Sequence, residues 1–244
     1  MIGLTSVTFR SLKAEEIVEL ARRAGLAGIE WGGDVHVKPG DEAEALRVGG
    51  LTRNAGLQVS SYGSYFRLCA QEEPETAFAP VLASARALGA PLIRVWAGER
   101  DSAGADEAYY RRAAEDLRRI CGMAGEIRVA LEYHRHTLTD CCDSAARLLD
   151  MAGCGASYWQ PNPDISHGEN LAELQRMLPY LTNVHVFHWE GADVRYPLER
   201  GAADWRAYIA LAGSERDYIM EFVQDDDPER FIQDARTLRE WMGA

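Results

Sequence analysis

A chain of 244 residues with 38 acidic and 26 basic side chains carries a net charge of −12, which excludes a broad electropositive surface for nucleic acid or anionic membrane. Its hydrophobic content of 47% suffices for a sizeable core, and no uninterrupted apolar stretch approaches membrane length. The five cysteines (Cys69, Cys121, Cys141, Cys142 and Cys154) are odd in number and lack CxxC spacing. Reduced thiols in a cytoplasmic protein are therefore expected rather than a disulfide framework. The N-terminus lacks the basic start and long apolar run of a signal peptide.

Taken in order, residues Ile2 to Phe9 read as a first strand. Ile17, Leu20, Ala21 and Ala24 then share a helix face that ends at Gly25. A second strand spans Ala27 to Trp31, a helix runs from about Asp41 to Ala55, and a third strand covers Leu57 to Tyr62. The alternation continues with strands at Pro91 to Trp96, Ile127 to Tyr133, Ser157 to Gln160, residues 183–188 and Tyr218 to Phe222, each followed by an amphipathic segment. The sixth strand must stop at Pro161 and Pro163, because proline cannot donate to a ladder. Asp227 as N-cap and Pro228 at the first position open the last helix. Eight strand–helix units imply parallel strands with right-handed crossovers, closing into one (β/α)8 TIM barrel over residues 1–244. No GxGxxG turn follows the first strand to support an open nucleotide-binding sheet.

In such a barrel the chemistry lies at strand exits. These carry Glu30, Trp31 and His36 after strand two, Tyr62 after strand three, and Trp96 after strand four. Strand five delivers Glu132 and His134, and strand six Gln160 with Asp164 and His167 beyond the prolines. Strand seven delivers His185 and His188, and strand eight Glu221. Glu132 and Glu221 each follow apolar residues aimed at a packed interior, where an unpaired carboxylate is costly. Either they share a divalent metal and move protons, or each forms a structural ion pair with an arginine such as Arg94 or Arg128.

Strand-terminal Glu132, His185 and Glu221 resemble the sugar-phosphate isomerase/epimerase superfamily with the xylose-isomerase-like barrel, along nearly the whole chain. That superfamily includes ketose 3-epimerases, hydroxypyruvate isomerase, inosose dehydratase and the endonuclease IV branch. The resemblance implies one divalent ion (Mn, Mg, Co or Zn) held by a Glu, an Asp, a His and a Glu on strands five to eight. It also implies two glutamates that exchange protons with sugar carbons. These roles fall on Glu132, a strand-six residue, His185 and Glu221.

Strand six departs from the pattern. The family's Asp-x-x-His string appears as Asp164-Ile165-Ser166-His167, four residues beyond the strand end, where Gln160 stands instead. Either Asp164 folds back to the metal, or Gln160 is an uncharged ligand, or the ion has been lost; Gln160 is the favoured ligand. His134, His167, His188, Arg195, Tyr62 and Trp96 are the candidate substrate contacts. Arg195 and Arg200 offer a clamp for phosphate or carboxylate, and Trp31, Tyr62 and Trp96 a stacking wall. The expected activity is a metal-dependent sugar isomerase or epimerase working through an enediolate. A keto-polyol dehydratase and a non-catalytic carbohydrate-binding barrel are the alternatives, with a small sugar as partner in each case. Neither nucleic acid nor membrane is an expected partner, and a homo-oligomer is compatible with the sequence.

Overall fold

Short, mostly apolar strands, each flanked by helices, can bury both faces only if the sheet is covered outside and filled inside. The computed structural model, which describes residues 1–191 and 194–244, meets this with a closed barrel. Its strands are β1 (Ile2–Thr5), β2 (Gly28–Gly32), β3 (Gln58–Arg67), β4 (Leu92–Trp96), β5 (Arg128–Leu131), β6 (Ala156–Trp159) and β7 (Leu181–Val186). A small antiparallel hairpin, β8 (Trp189–Glu190) and β9 (Val194–Arg195), precedes the last barrel strand, β10 (Asp217–Met220). The barrel closes in the order β1-β10-β7-β6-β5-β4-β3-β2, with every neighbouring pair parallel.

Among the described residues eight α-helices pack outside: α1 (Ala14–Arg23), α2 (Glu42–Asn54), α3 (Pro74–Leu88), α4 (Glu107–Ala124), α5 (Cys142–Ala152), α6 (His167–Met177), α7 (Ala202–Ala212) and α8 (Pro228–Met242). The Asp227 side chain caps α8 by accepting from the Glu229 N–H at 2.9 Å, with Pro228 at the first position as expected. Asp41 caps α2 in the same manner. The main core lies between the strands' outer faces and the helices, built on residues such as Ile17, Phe78, Leu117 and Phe231. A second, small cluster of Leu92, Ala130 and Tyr158 fills the barrel interior below the site.

Three boundaries differ from expectation. Residues Ser6–Phe9 form a 3-10 turn rather than the end of a strand, and the Ser6 hydroxyl accepts the Gly32 N–H at 2.9 Å. Strand β3 continues five residues past Tyr62 to Arg67, with a register shift against β4. Strand β10 stops at Met220, and Phe222 adopts a left-handed φ of 47° that turns the chain sharply after Glu221. All five cysteines are free. Among the described residues no helix is long and apolar enough to cross a membrane.

Candidate active site

Side chains alternate across a strand, so every second residue of each barrel strand points inward. The inward set near the C-terminal ends contains Thr5, Glu30, Ser61, Arg94, Glu132, Tyr158, His185 and Glu221, all buried. Glu132 and Glu221 each lie one position past their strand, and their N–H groups still donate to Val95 and Val186 carbonyls at 2.9 and 3.0 Å. The ladder therefore fixes where each carboxylate starts.

One ligand atom each from Glu132, His185 and Glu221 lies within 4.8 Å of the other two. The His185 Nδ1 faces Glu221 Oε2 at 3.1 Å, Gln160 Oε1 at 3.2 Å and Glu132 Oε1 at 3.9 Å. The other oxygen of Glu132 accepts from the Arg94 guanidinium. Arg94 also reaches Glu30 Oε1 at 3.1 Å. Glu30, fully buried, further accepts from Thr5 at 3.0 Å and from Ser61 and Tyr158 at 2.8 Å. Sequence reading placed Glu30 at a strand end without giving it a role. Its four donors become visible only when β1, β3, β4 and β6 are brought around it.

The charges are strongly coupled. Burial pushes the Glu30 carboxyl up, but the Arg94 charge and the His185 ring outweigh it and hold the pKa well below the usual carboxylate range. Burial likewise disfavours a charged His185, yet Glu221 and Glu30 raise its pKa to about 10. Glu221 is pushed up by burial and held down, on balance, by His185 and Arg94.

A nitrogen facing three oxygens calls for a proton or a cation between them. A proton on Nδ1 satisfies one contact, whereas a divalent ion satisfies the whole set. Two carboxylates, an imidazole and an amide oxygen are suitable donors for Mn, Zn or a similar ion, so the residues fit a single divalent cation.

A cavity of about 90 Å³ opens over this group, lined by Glu132, His134, Gln160, Asn162, Trp189, Glu221 and Phe222 among others. The His134 ring stacks on Trp96 at 4.6 Å, and the Arg67 guanidinium covers Trp96 at 3.9 Å. Trp96 thus backs His134 and does not itself line the cavity. His167 and His188 lie in a neighbouring cavity of about 380 Å³ that shares the wall formed by Pro161, Pro163, Phe187 and Trp189. His167 contacts the Tyr208 hydroxyl at 3.1 Å and Asp204 at 3.2 Å, and His188 contacts Glu190 at 3.3 Å.

Several expectations are corrected. Asp164 does not fold back to the metal group. It is 54% exposed and faces Arg135 at 3.6 Å, because the 161–163 loop is pinned outward by paired hydrogen bonds between Asn162 and Asn170 at 2.8 and 2.9 Å. Tyr62 is not a substrate contact. Its neighbour Ser61 points inward, so Tyr62 points to the helices, fully buried, and donates to the Val37 carbonyl at 2.7 Å. Trp31 is likewise core, donating to Thr52 at 3.1 Å. Arg195 is no anion clamp in this arrangement, since it pairs with Asp226 at 2.6 Å and lies over Phe222. Arg200 pairs with Glu190 at 2.5 Å. The ion-pair alternative for Glu132 is realised with Arg94.

Residues 18–241 match the sequence model of the xylose isomerase-like TIM barrel. The chain belongs to this family. Among solved structures, the barrel is similar to that of the probable 3-DHS dehydratase AsbF involved in petrobactin synthesis from Bacillus anthracis. The TM-score is 0.83 at 17% identity, covering 97% of this chain and 98% of that one. It is similar to D-psicose 3-epimerase, with a TM-score of 0.74 at 17% identity over 100% and 99% of the two chains. It also resembles L-ribulose 3-epimerase, with a TM-score of 0.72 at 13% identity over 99% and 93%. At such identities these likenesses establish a shared xylose isomerase-like fold. No curated protein matches the chain in sequence.

Proposed function

We propose that this member of the xylose isomerase-like family abstracts a proton next to the carbonyl of a small polyhydroxylated substrate, as a sugar isomerase or epimerase does. The observation that carries the reading is the convergence of Glu132, His185 and Glu221 within 4.8 Å, at the edge of a cavity that two of them line. Glu132, Gln160, His185 and Glu221 would hold a divalent cation, which when bound polarises the substrate carbonyl.

The chain's own residues supply the remaining steps. Glu221 takes the proton from carbon, and the freed electron pair moves onto the carbonyl oxygen. Glu221 returns that proton to the neighbouring carbon, or, for inversion, Glu132 delivers to the opposite face a proton taken up from solvent. His134 and Asn162 offer hydrogen bonds to substrate hydroxyls, while Phe187, Trp189 and Phe222 keep the wall dry. The names of the epimerases with the same fold support this reading.

Dehydration of a keto-polyol is the second reading, favoured by one observation. Arg94 occupies one oxygen of Glu132, which leaves that carboxylate a single oxygen to share between the cation and a second substrate carbon. With Glu221, one oxygen of which faces His185 Nδ1, as the base, His134 at the cavity can protonate the departing hydroxyl so that it leaves as water. The dehydratase with the same fold agrees with this alternative.

The test is incubation with a panel of ketoses and keto-polyols in D2O with manganese, followed by NMR and mass spectrometry. Exchange of carbon-bound hydrogen with an isomeric product supports isomerisation, and loss of water with a new alkene supports dehydration. Neither exchange nor conversion across the panel, in protein shown to hold the ion, counts against both.

A further inference from the structure

The Glu30–Arg94 pair lies beneath the cavity and lines none of it. Both side chains are buried, at 0% and 2% exposure. Two buried charges in a barrel interior are costly to desolvate, and their mutual attraction repays this only with good geometry and further hydrogen bonds. Here the geometry joins them to the cation group at two points. Arg94 donates through one nitrogen to Glu132 Oε2, which leaves Glu132 Oε1 facing His185 Nδ1 at 3.9 Å. On the far side of the same ring, His185 Nε2 is buried with no hydrogen-bond partner among the described residues. Its facing acceptor is Glu30 Oε1, at 3.8 Å.

The backbone is shaped around this pair. A Cβ at Gly63 would stand 2.7 Å from an Arg94 guanidinium nitrogen and 3.1 Å from Glu30 Oε1. Gly63 and Arg94 are register partners on β3 and β4. Any side chain at that position must displace the Arg94 guanidinium, and with it the pair. Tyr158 and Ser61 hold the other Glu30 oxygen at 2.8 Å each, so Glu30 cannot yield by rotating.

We propose that Glu30 and Arg94 are positioning residues for the cation site. Arg94 fixes which oxygen of Glu132 faces the ion, and Glu30 anchors Arg94 while favouring the His185 tautomer with hydrogen on Nε2, leaving Nδ1 as the donor. This rests on the reading of Glu132, His185 and Glu221 as a cation site. Residues that orient metal ligands typically alter affinity by about 10–100-fold when removed.

The test compares the wild type with Glu30→Gln and Gly63→Ala. The first removes the anchoring charge, and the second keeps every charge but displaces the pair. Manganese affinity is measured by isothermal titration, the cobalt absorption spectrum reports the donor arrangement, and thermal melting in chelator checks the fold. Weakening of manganese binding by about 10–100-fold with a changed cobalt spectrum, in folded variants, is the expected result. If Glu30→Gln does not fold, Gly63→Ala alone decides. A folded variant with unchanged affinity and spectrum overturns the positioning role while leaving the cation site standing. A wild type that takes up neither ion overturns both.

Discussion

Replacing Arg94 with Met leaves Glu30 and Glu132 facing each other's charge in the barrel interior. At the 3.1 Å separation of Arg94 and Glu30, Coulomb attraction at an effective dielectric of about 20 is roughly 5 kcal/mol. The Glu132 contact is of the same kind, and the cost of desolvating the guanidinium offsets part of both. Removing one partner from a buried pair typically costs about 3–5 kcal/mol. For a chain of this size that lowers the melting temperature by roughly 6–20 °C. The double variant Glu30→Gln, Arg94→Met removes one charge of each sign and should recover at least half of the loss. Thermal and urea unfolding in chelator, at neutral pH, measure the cycle. An Arg94→Met protein within about 1 kcal/mol of wild type, or single-variant costs that simply add in the double variant, would refute the coupling described here.

Three further outcomes are expected. Gln160→Glu places a carboxylate beside His185 Nδ1, now 3.2 Å from the amide oxygen, and should tighten manganese binding by roughly tenfold or more, read by titration calorimetry; unchanged affinity would remove Gln160 from the ligand set. Asp234 accepts from the Leu198 N–H at 3.1 Å, and burial raises its pKa from the usual 3.8 to about 6. The unfolded chain therefore ionises this carboxyl more readily, and stability falls as pH rises from 3.8 to about 6. Asp234→Asn keeps the acceptor and should abolish that fall, stabilising neutral-pH protein by on the order of 2 kcal/mol; a stability difference between variant and wild type that does not grow across this pH window would contradict it. Tyr62→Phe loses one buried hydrogen bond and about 1 kcal/mol of stability, with KM unchanged; a raised KM would return Tyr62 to the site.

The parts of the site legible in the sequence are those encoded by position along a strand. Glu132, His185 and Glu221 each close an apolar run, and the parallel ladder delivers them to one rim. Gln160 was legible for the same reason, because Pro161 ends its strand. What misled were cues that ignore strand parity and loop anchoring. Asp164 matches a motif letter by letter, yet Asn162 and Asn170 hold its loop away. Tyr62 ends a predicted strand, but the alternation that turns Ser61 inward turns Tyr62 outward. Glu30 and Arg94 are far apart in sequence, and their pairing depends on the registers of β2, β3 and β4. No local pattern encodes those registers. The 3-10 turn after β1 leaves no mark in the sequence, because apolar Val7 and Phe9 suit a buried strand as well as this buried turn.

The central claim is that the strand-end group at β5, β6, β7 and β10 is a cation site. Elemental analysis of freshly purified protein, alongside the Glu132→Gln, Glu221→Gln double variant, tests it most directly. The account predicts one divalent ion per wild-type chain and none in the folded variant. A wild type without an ion, even after incubation with manganese, would contradict it.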